Sequence, residues 1–440
     1  MHLKLGEVST IIVSSPDVAK SVMNDNDVVF CSRPNSLLSA KILNYNCLDI
    51  AFAPYGDYWR QLRKICTVEL LSSKRVQTFR SLREKEVMNM IKLVSEKKGS
   101  VLNLSKIIYP LSYSVTALAA FNKRSKYQEQ FVSVMDEAIK LMGGFNLCDM
   151  YPSFKLLEVI SGMKRKLEKT HEIIDGIMEN IIKEHKLMIN RTDDDDDEEE
   201  EMTEDLVDVL LKIQENGDLG VLSDDSIKAV IYDIFSAGGE TSSTTIEWTM
   251  SELMKNPTIL KRAQEEVRKV FNGKGNVNES GLHQLKYLKA VIKESMRLHP
   301  AAPLLLPREC TEHCKINGYD VPAKSRVLVN AWAIGRDPTH WIDPEKFYPE
   351  RFLIGELTDF RGKDFGFIPF GAGRRMCPGI YFAVPILELT IAQLLYHFDW
   401  ELPGGLGLEE LDMSESFGLT VRRKFDLCLI PTPYEHSSIK

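Results

Sequence analysis

Residues 370–379 read FGAGRRMCPG, and the rest of the 440-residue chain falls into place around them. Gly371 and Gly373 allow a sharp turn and close approach at positions where a Cβ would clash. Two arginines, Arg374 and Arg375, precede Cys377, and Pro378 suits the first turn of a helix. The apolar run from Tyr381 to Phe398 is read as that helix. A cysteine at a helix start beside two arginines is expected to have a lowered pKa and to be a thiolate. A thiolate fixed by a glycine turn is a metal ligand or a nucleophile. The ordinary reading of a lone cysteine, a small buried apolar residue, has to be weighed against this.

A second unusual stretch is AGGET, Ala237 to Thr241, in the middle of a long apolar helix that Ser223 caps and that spans residues 224–255. Two mid-helix glycines cost about 1 kcal/mol each relative to alanine. They are expected to admit a planar group and to open the hydrogen-bond ladder locally. Thr241 then offers a hydroxyl and Glu240 a carboxyl, a pair able to order water and deliver protons. The competing reading of Thr241 is a hydroxyl bonded to the carbonyl four residues back.

Three further patterns place charges on helices. Glu294 and Arg297 are spaced i, i+3 as an ion pair, and Arg351 offers a second guanidinium to the same carboxylate. Trp59 and Arg63 share a helical face at i, i+4, ordinarily a surface arginine beside a core tryptophan. Residues 301–306, between Pro300 and Pro307, are mostly small and apolar and are expected to run extended.

Composition bounds the rest. With 44% hydrophobic residues the chain can bury a large core, and no Pro/Gly/Ser linker or repeat divides it, so one domain over 1–440 is expected. The net charge of −8 is outweighed by the nine consecutive acidic residues Asp193–Glu201, so the remainder is nearly neutral. Residues 191–203 are expected to be a solvated, disordered loop. No basic, aromatic-interleaved surface points to nucleic acid. Eight irregularly spaced cysteines suggest reduced thiols, and Cys310, His313 and Cys314 lack the second ligand pair of a zinc finger. The start of the chain alternates as a hairpin, residues 31–54 read as a long loop, and residues 75–95, 108–121, 127–142 and 151–189 read as amphipathic helices.

Phe370, Gly373, Arg375, Cys377 and Gly379 reproduce F-x-x-G-x-R-x-C-x-G, and with W-R-Q-L-R, A-G-G-E-T, K-E-S-M-R and F-Y-P-E-R-F in order the chain resembles the cytochrome P450 family, plant A-type microsomal group. The resemblance implies a mainly α fold with smaller β regions, with haem b between the long central helix and the cysteine-loop helix. It implies Cys377 as axial iron ligand, and thiolate ligation suits oxygen activation. Trp59, Arg63, Arg308, Arg375, Phe370, Gly371, Ala237 and Gly238 become cofactor contacts, and Ala302, Leu306 and Leu419 substrate contacts. Thr241 and Glu240 become the proton-delivering pair, while Glu294, Arg297 and Arg351 form a structural network.

The same resemblance implies a monooxygenase that takes electrons from NADPH through NADPH–cytochrome P450 reductase and hydroxylates a small apolar plant metabolite. The flanking phrases resemble the terpenoid and alkaloid hydroxylating branch, with a terpenoid as the expected substrate. Two alternatives stand beside it: a reductase-independent haem-thiolate isomerase or dehydratase, against which the Glu240–Thr241 pair argues, and an inactive haem-binding fragment. The family's transmembrane helix, proline-rich hinge and first helix have no counterpart in this sequence. Location on the cytosolic face of the endoplasmic reticulum membrane is therefore implied by resemblance alone.

Overall fold

The computed structural model describes residues 1–121, 128–143, 145–189, 204–217, 222–354, 359–405 and 407–435. The acidic run expected to form a loop lies outside them, as does Gly144. Nine short strands occur among the described residues. They are β1 (His2–Leu5), β2 (Val8–Val13), β3 (Leu102–Asn103), β4 (Arg308–Glu309) and β5 (Cys314–Ile316). Then come β6 (Tyr319–Val321), β7 (Arg326–Val329), β8 (Phe398–Glu401) and β9 (Cys428–Pro433). The principal helices begin with α1 (Asp57–Ile65), α2 (Arg80–Ser95), α3 (Ser105–Phe121), α4 (Gln128–Leu141) and α5 (Met163–Ile189). They continue with α6 (Leu206–Asn216), α7 (Asp224–Lys255), α8 (Pro257–Val270), α9 (Lys286–Leu298) and α10 (Ile380–His397).

The expected hairpin forms: β1 and β2 are antiparallel around Gly6, whose φ of +63° suits glycine. β2 pairs in parallel with β7 and β7 antiparallel with β4, giving the order β1-β2-β7-β4. β3-β9-β8 form a second sheet, and β5-β6 a hairpin that turns at Asn317 and Gly318.

Helix α7 crosses the interior. Ser223 caps it by accepting from the Ser226 N–H, and nearly all its side chains are buried. It packs against α3, whose small Ser and Ala residues allow a close crossing, and against α10. α10 is long and apolar enough to cross a membrane but two-thirds of it is buried inside the fold, as a core helix would be.

Several expected elements differ. Residues 151–189 are not one helix: Leu156–Ile160 ends just before Gly162, which adopts φ +67° and separates it from α5. The long loop of residues 31–54 contains the helix Leu38–Leu43. Residues 301–306 turn instead of running extended, because the Leu305 N–H closes onto the Ala302 carbonyl at 3.0 Å with Leu305 at φ +50°. Pro378 lies in a turn outside the helix, which begins at Ile380.

Candidate active site

The cysteine loop is held from several directions. Gly371 and Gly373 both have φ near +70°, and a Cβ on Gly373 would stand 2.0 Å from the Met23 carbonyl. That glycine is thus required by the backbone of residue 23. The Cys377 N–H donates to the Phe370 carbonyl at 2.9 Å, and the Gly379 N–H donates to Cys377 Sγ at 3.3 Å. Phe370 itself stacks edge-on with Phe360.

The expectation that Arg374 and Arg375 lower the thiol's pKa is not met. Arg374 turns to Asp27 at 3.1 Å, and Arg375 donates to the Cys31, Ile50 and Ala53 carbonyls. Burial pushes the Cys377 thiol up; the Gly379 N–H and Arg63 only partly offset it. A metal bound there would deprotonate the coordinating thiol outright.

Four guanidiniums converge behind this loop. Arg63 donates to the Met376 carbonyl at 2.6 Å. Arg308 reaches the Ala372 carbonyl at 3.1 Å and Asp27 at 3.4 Å. Arg375 lies over the Trp59 ring at 4.1 Å, and the Ile50 carbonyl accepts from both Trp59 Nε1 and Arg375. Arg33 holds the carbonyls of Ala51, Leu306 and Pro307.

Arg33, Arg308 and Arg375 are all buried, yet Asp27 and Asp49 are the carboxylates acting on them. Burial and then mutual repulsion pull Arg33 well below the ordinary range, and burial with Arg308 brings Arg375 down to about 10. Buried cations in excess over anions fit a ligand that brings its own carboxylates, and the two propionates of haem are such groups. The arginines, the Trp59 ring and the sulfur together fit that cofactor. Arg33 was not singled out from the sequence; only its place in the Cys31-Ser32-Arg33-Pro34 run could have drawn attention.

In the middle of α7, Ser236, Ala237, Gly238 and Thr241 form a partly open stretch, with Ala237 exposed, among residues that are otherwise buried from Ser226 to Met254. The helix is continuous and its ladder is not opened there. The Thr241 hydroxyl donates to the Ala237 carbonyl at 2.6 Å, the competing geometry read from the sequence. The two glycines answer to α3: a Cβ on Gly238 would meet Thr116 at 3.0 Å, and one on Gly239 the Tyr113 ring at 2.3 Å.

Glu240 is buried beside Tyr113, whose hydroxyl donates to it at 3.4 Å, with Arg422 at 4.0 Å. Burial raises its carboxyl to about 7 against the pull of Arg422. Arg422 also pairs with Asp136 at 2.5 Å, which joins α4, α7 and the C-terminal segment.

Ala302, Leu306 and Leu419 are half-buried. Their two segments are tied together where the Val421 N–H donates to the Ala301 carbonyl at 2.9 Å. Glu294, fully buried, accepts from Arg297 at 2.7 and 2.8 Å, from Arg351 at 3.0 Å and from the Tyr348 N–H at 2.7 Å. Sequence reading also passed over Asp49 and Asp233. Asp233 of α7 accepts the Ile50 and Ala51 N–H groups, and Asn44 bridges the two carboxyls. Burial raises both carboxyls, Asp49 to about 6, and the Asp49 charge raises Asp233 further.

A family model described as Cytochrome P450 matches residues 1–429. The chain belongs to the cytochrome P450 family and is a haem-thiolate monooxygenase of it. Tabersonine 16-hydroxylase 2 of Catharanthus roseus is 55% identical, over 100% of this chain and 86% of that protein. Premnaspirodiene oxygenase of Hyoscyamus muticus is 48% identical, over 99% of this chain and 86% of that protein. The structure of a zebra fish cytochrome P450 with abiraterone superposes with a TM-score of 0.82 at 25% identity, covering 99% of this chain and 96% of that one.

Proposed function

We propose that this chain, acting as one domain, hydroxylates a small apolar plant metabolite of the terpenoid or alkaloid class with electrons from NADPH–cytochrome P450 reductase. The observation that carries the reading is the pairing of a thiol fixed by two backbone bonds with an excess of buried guanidiniums around it. Relatives named for tabersonine and premnaspirodiene support a plant alkaloid or terpenoid substrate. Within the family, the bound haem supplies the iron chemistry that activates oxygen.

The chain's own residues then have these roles. Cys377, held by the Phe370 carbonyl and the Gly379 N–H, would ligate the haem iron. Arg63, Arg308 and Arg375, with Arg33, would neutralise the propionates beside the Trp59 ring, and Phe370, Gly371, Ala237 and Gly238 would line the haem's faces. Ala302, Leu306 and Leu419 exclude water and contact substrate through apolar surface. Thr241, whose proton is committed to Ala237, presents its oxygen as an acceptor that fixes a water. Glu240, with a carboxyl near neutrality, can gain and lose a proton at working pH.

We place this work at the cytosolic face of the endoplasmic reticulum membrane. Supporting this, Phe154, Leu156, Val159 and Ile160 are exposed large apolar residues around Lys155. They adjoin the first hairpin, where the Glu7 N–H bonds the Met150 carbonyl. Such a patch suits an interface with lipid.

The test is direct. Purified protein, reduced under carbon monoxide, should give the red-shifted Soret band of thiolate ligation, and Cys377→Ser should lose it. With reductase and a terpenoid and alkaloid panel, NADPH consumption should accompany a product carrying one added oxygen atom. Product formed without reductase or NADPH would overturn the monooxygenase assignment for this chain.

A further inference from the structure

Cys310 and Cys314 bracket the turn between β4 and β5, and their sulfurs lie 3.9 Å apart. Cys310 is fully buried and its backbone is fixed: its N–H donates to the Ser325 carbonyl at 2.9 Å and its carbonyl accepts from the Lys324 N–H at 2.6 Å. Its thiol rests on the Glu312 carbonyl at 2.9 Å. Cys314 is only half-buried, so solvent reaches this sulfur first. His313, which could have completed a metal set with the sulfurs, faces Asp320 at 3.3 Å.

A disulfide requires the sulfurs about 2 Å closer than they stand, a distance that side-chain rotation in a short turn can cover. The movement falls on residues 311–313, since Ser325 and Lys324 hold Cys310. We propose that Cys310 and Cys314 form a reversible dithiol–disulfide site that reacts with small disulfides such as oxidised glutathione.

The accessible Cys314 thiolate attacks one sulfur of glutathione disulfide. That S–S bond breaks, and the departing glutathione thiolate takes up the proton Cys314 gave to solvent. Cys310 then attacks Cys314 Sγ, the mixed disulfide breaks, and the second glutathione leaves with the Cys310 proton. Two cysteine thiols are oxidised and one glutathione disulfide is reduced to two thiols. Burial, then Cys314, raises the Cys310 thiol to about 12, so the more accessible Cys314 makes the first attack and Cys310 the slower second one. Closure acts on the strand that carries Arg308 and on Thr311, whose N–H bonds the Val29 carbonyl.

The test uses the haem-loaded protein equilibrated across glutathione ratios, quenched with N-ethylmaleimide and digested with trypsin. Both cysteines fall in one peptide, residues 309–315, because no Lys or Arg separates them. As oxidised glutathione rises, this peptide should lose two hydrogens and both alkylations, and dithiothreitol should restore them. Cys310→Ser should leave Cys314 carrying one glutathionyl group, while Cys314→Ser should leave Cys310 free. A stable mixed disulfide on Cys314 in the unmutated protein, or a disulfide joining other cysteines instead, would overturn the proposal. The unmutated protein decides the matter even if neither variant folds.

Discussion

Gly239 of the long central helix lies against the Tyr113 ring of α3, so close that a Cβ would stand 2.3 Å from Cδ1 and Cε1. Tyr113 cannot swing freely, since it is buried, packs on Phe235 and donates to Glu240. Gly239→Ala gains about 1 kcal/mol of helix propensity. Overpacking at such a contact costs about 1–3 kcal/mol and should win. We expect a lower unfolding midpoint in urea with the carbon monoxide spectrum retained. An equal or higher midpoint would show that the two helices can separate without loss.

Arg297 holds Glu294 with two charge-assisted bonds and also donates to the carbonyls of Gly335, Pro344 and Lys346. Arg297→Ala leaves a fully buried carboxylate with only Arg351 and the Tyr348 N–H, a change worth about 3–5 kcal/mol. Arg297→Lys should rescue little, because a single ammonium cannot reproduce the fork. Yield of folded, haem-loaded protein is the measurement. Near-normal yield from either variant would remove the network from the core of stability.

Glu240 predicts a pH dependence. Its folded pKa, raised to about 7, lies above its ordinary value of 4.5. The folded state therefore binds the proton more tightly than the unfolded chain. The stability this lends is complete below the ordinary value and is lost as pH rises toward 7. Glu240→Gln carries no such loss. Its unfolding free energy relative to the parent should climb between those pH values, on the order of 1–3 kcal/mol. Asp136, Arg422, Tyr113 and Glu247 face the same carboxyl, so each parent–variant pair must be compared at fixed ionic strength. A flat difference across pH would show that Glu240 is ionised throughout.

The hairpin, the Ser223 cap and the ends of α7 were legible because each has a local cause: alternation, a side-chain acceptor, an apolar period. The cysteine loop was legible as a spacing, but the direction of its arginines was not. Arg374 and Arg375 are adjacent in sequence to Cys377, yet Asp27 and the Cys31, Ile50 and Ala53 carbonyls claim them. Those partners lie more than three hundred residues away, beyond any local pattern. Gly238 and Gly239 show the same limit. The sequence shows that something approaches closely, and only the packing shows that it is α3.

Thr241 separates a structural hydroxyl from a functional one. Its bond to Ala237 at 2.6 Å is its one side-chain hydrogen bond among the described residues, and it sits on the partly open stretch of α7. A hydroxyl that only satisfies its own helix contributes about 1 kcal/mol, so Thr241→Ala should barely change melting or haem content. If its oxygen also fixes the water that relays protons, the variant should still bind substrate and consume NADPH. A larger share of that NADPH should then leave as hydrogen peroxide. Acid–base contributions of this kind are worth about 10²–10⁴-fold, and water can replace part of this one, so the low end is expected in product per NADPH. Thr241→Ser, which keeps the oxygen and the bond to Ala237, should restore most of the coupling, whereas Thr241→Val should not. Equal product per NADPH in the parent and alanine proteins would take Thr241 out of the mechanism and leave it as a helix residue.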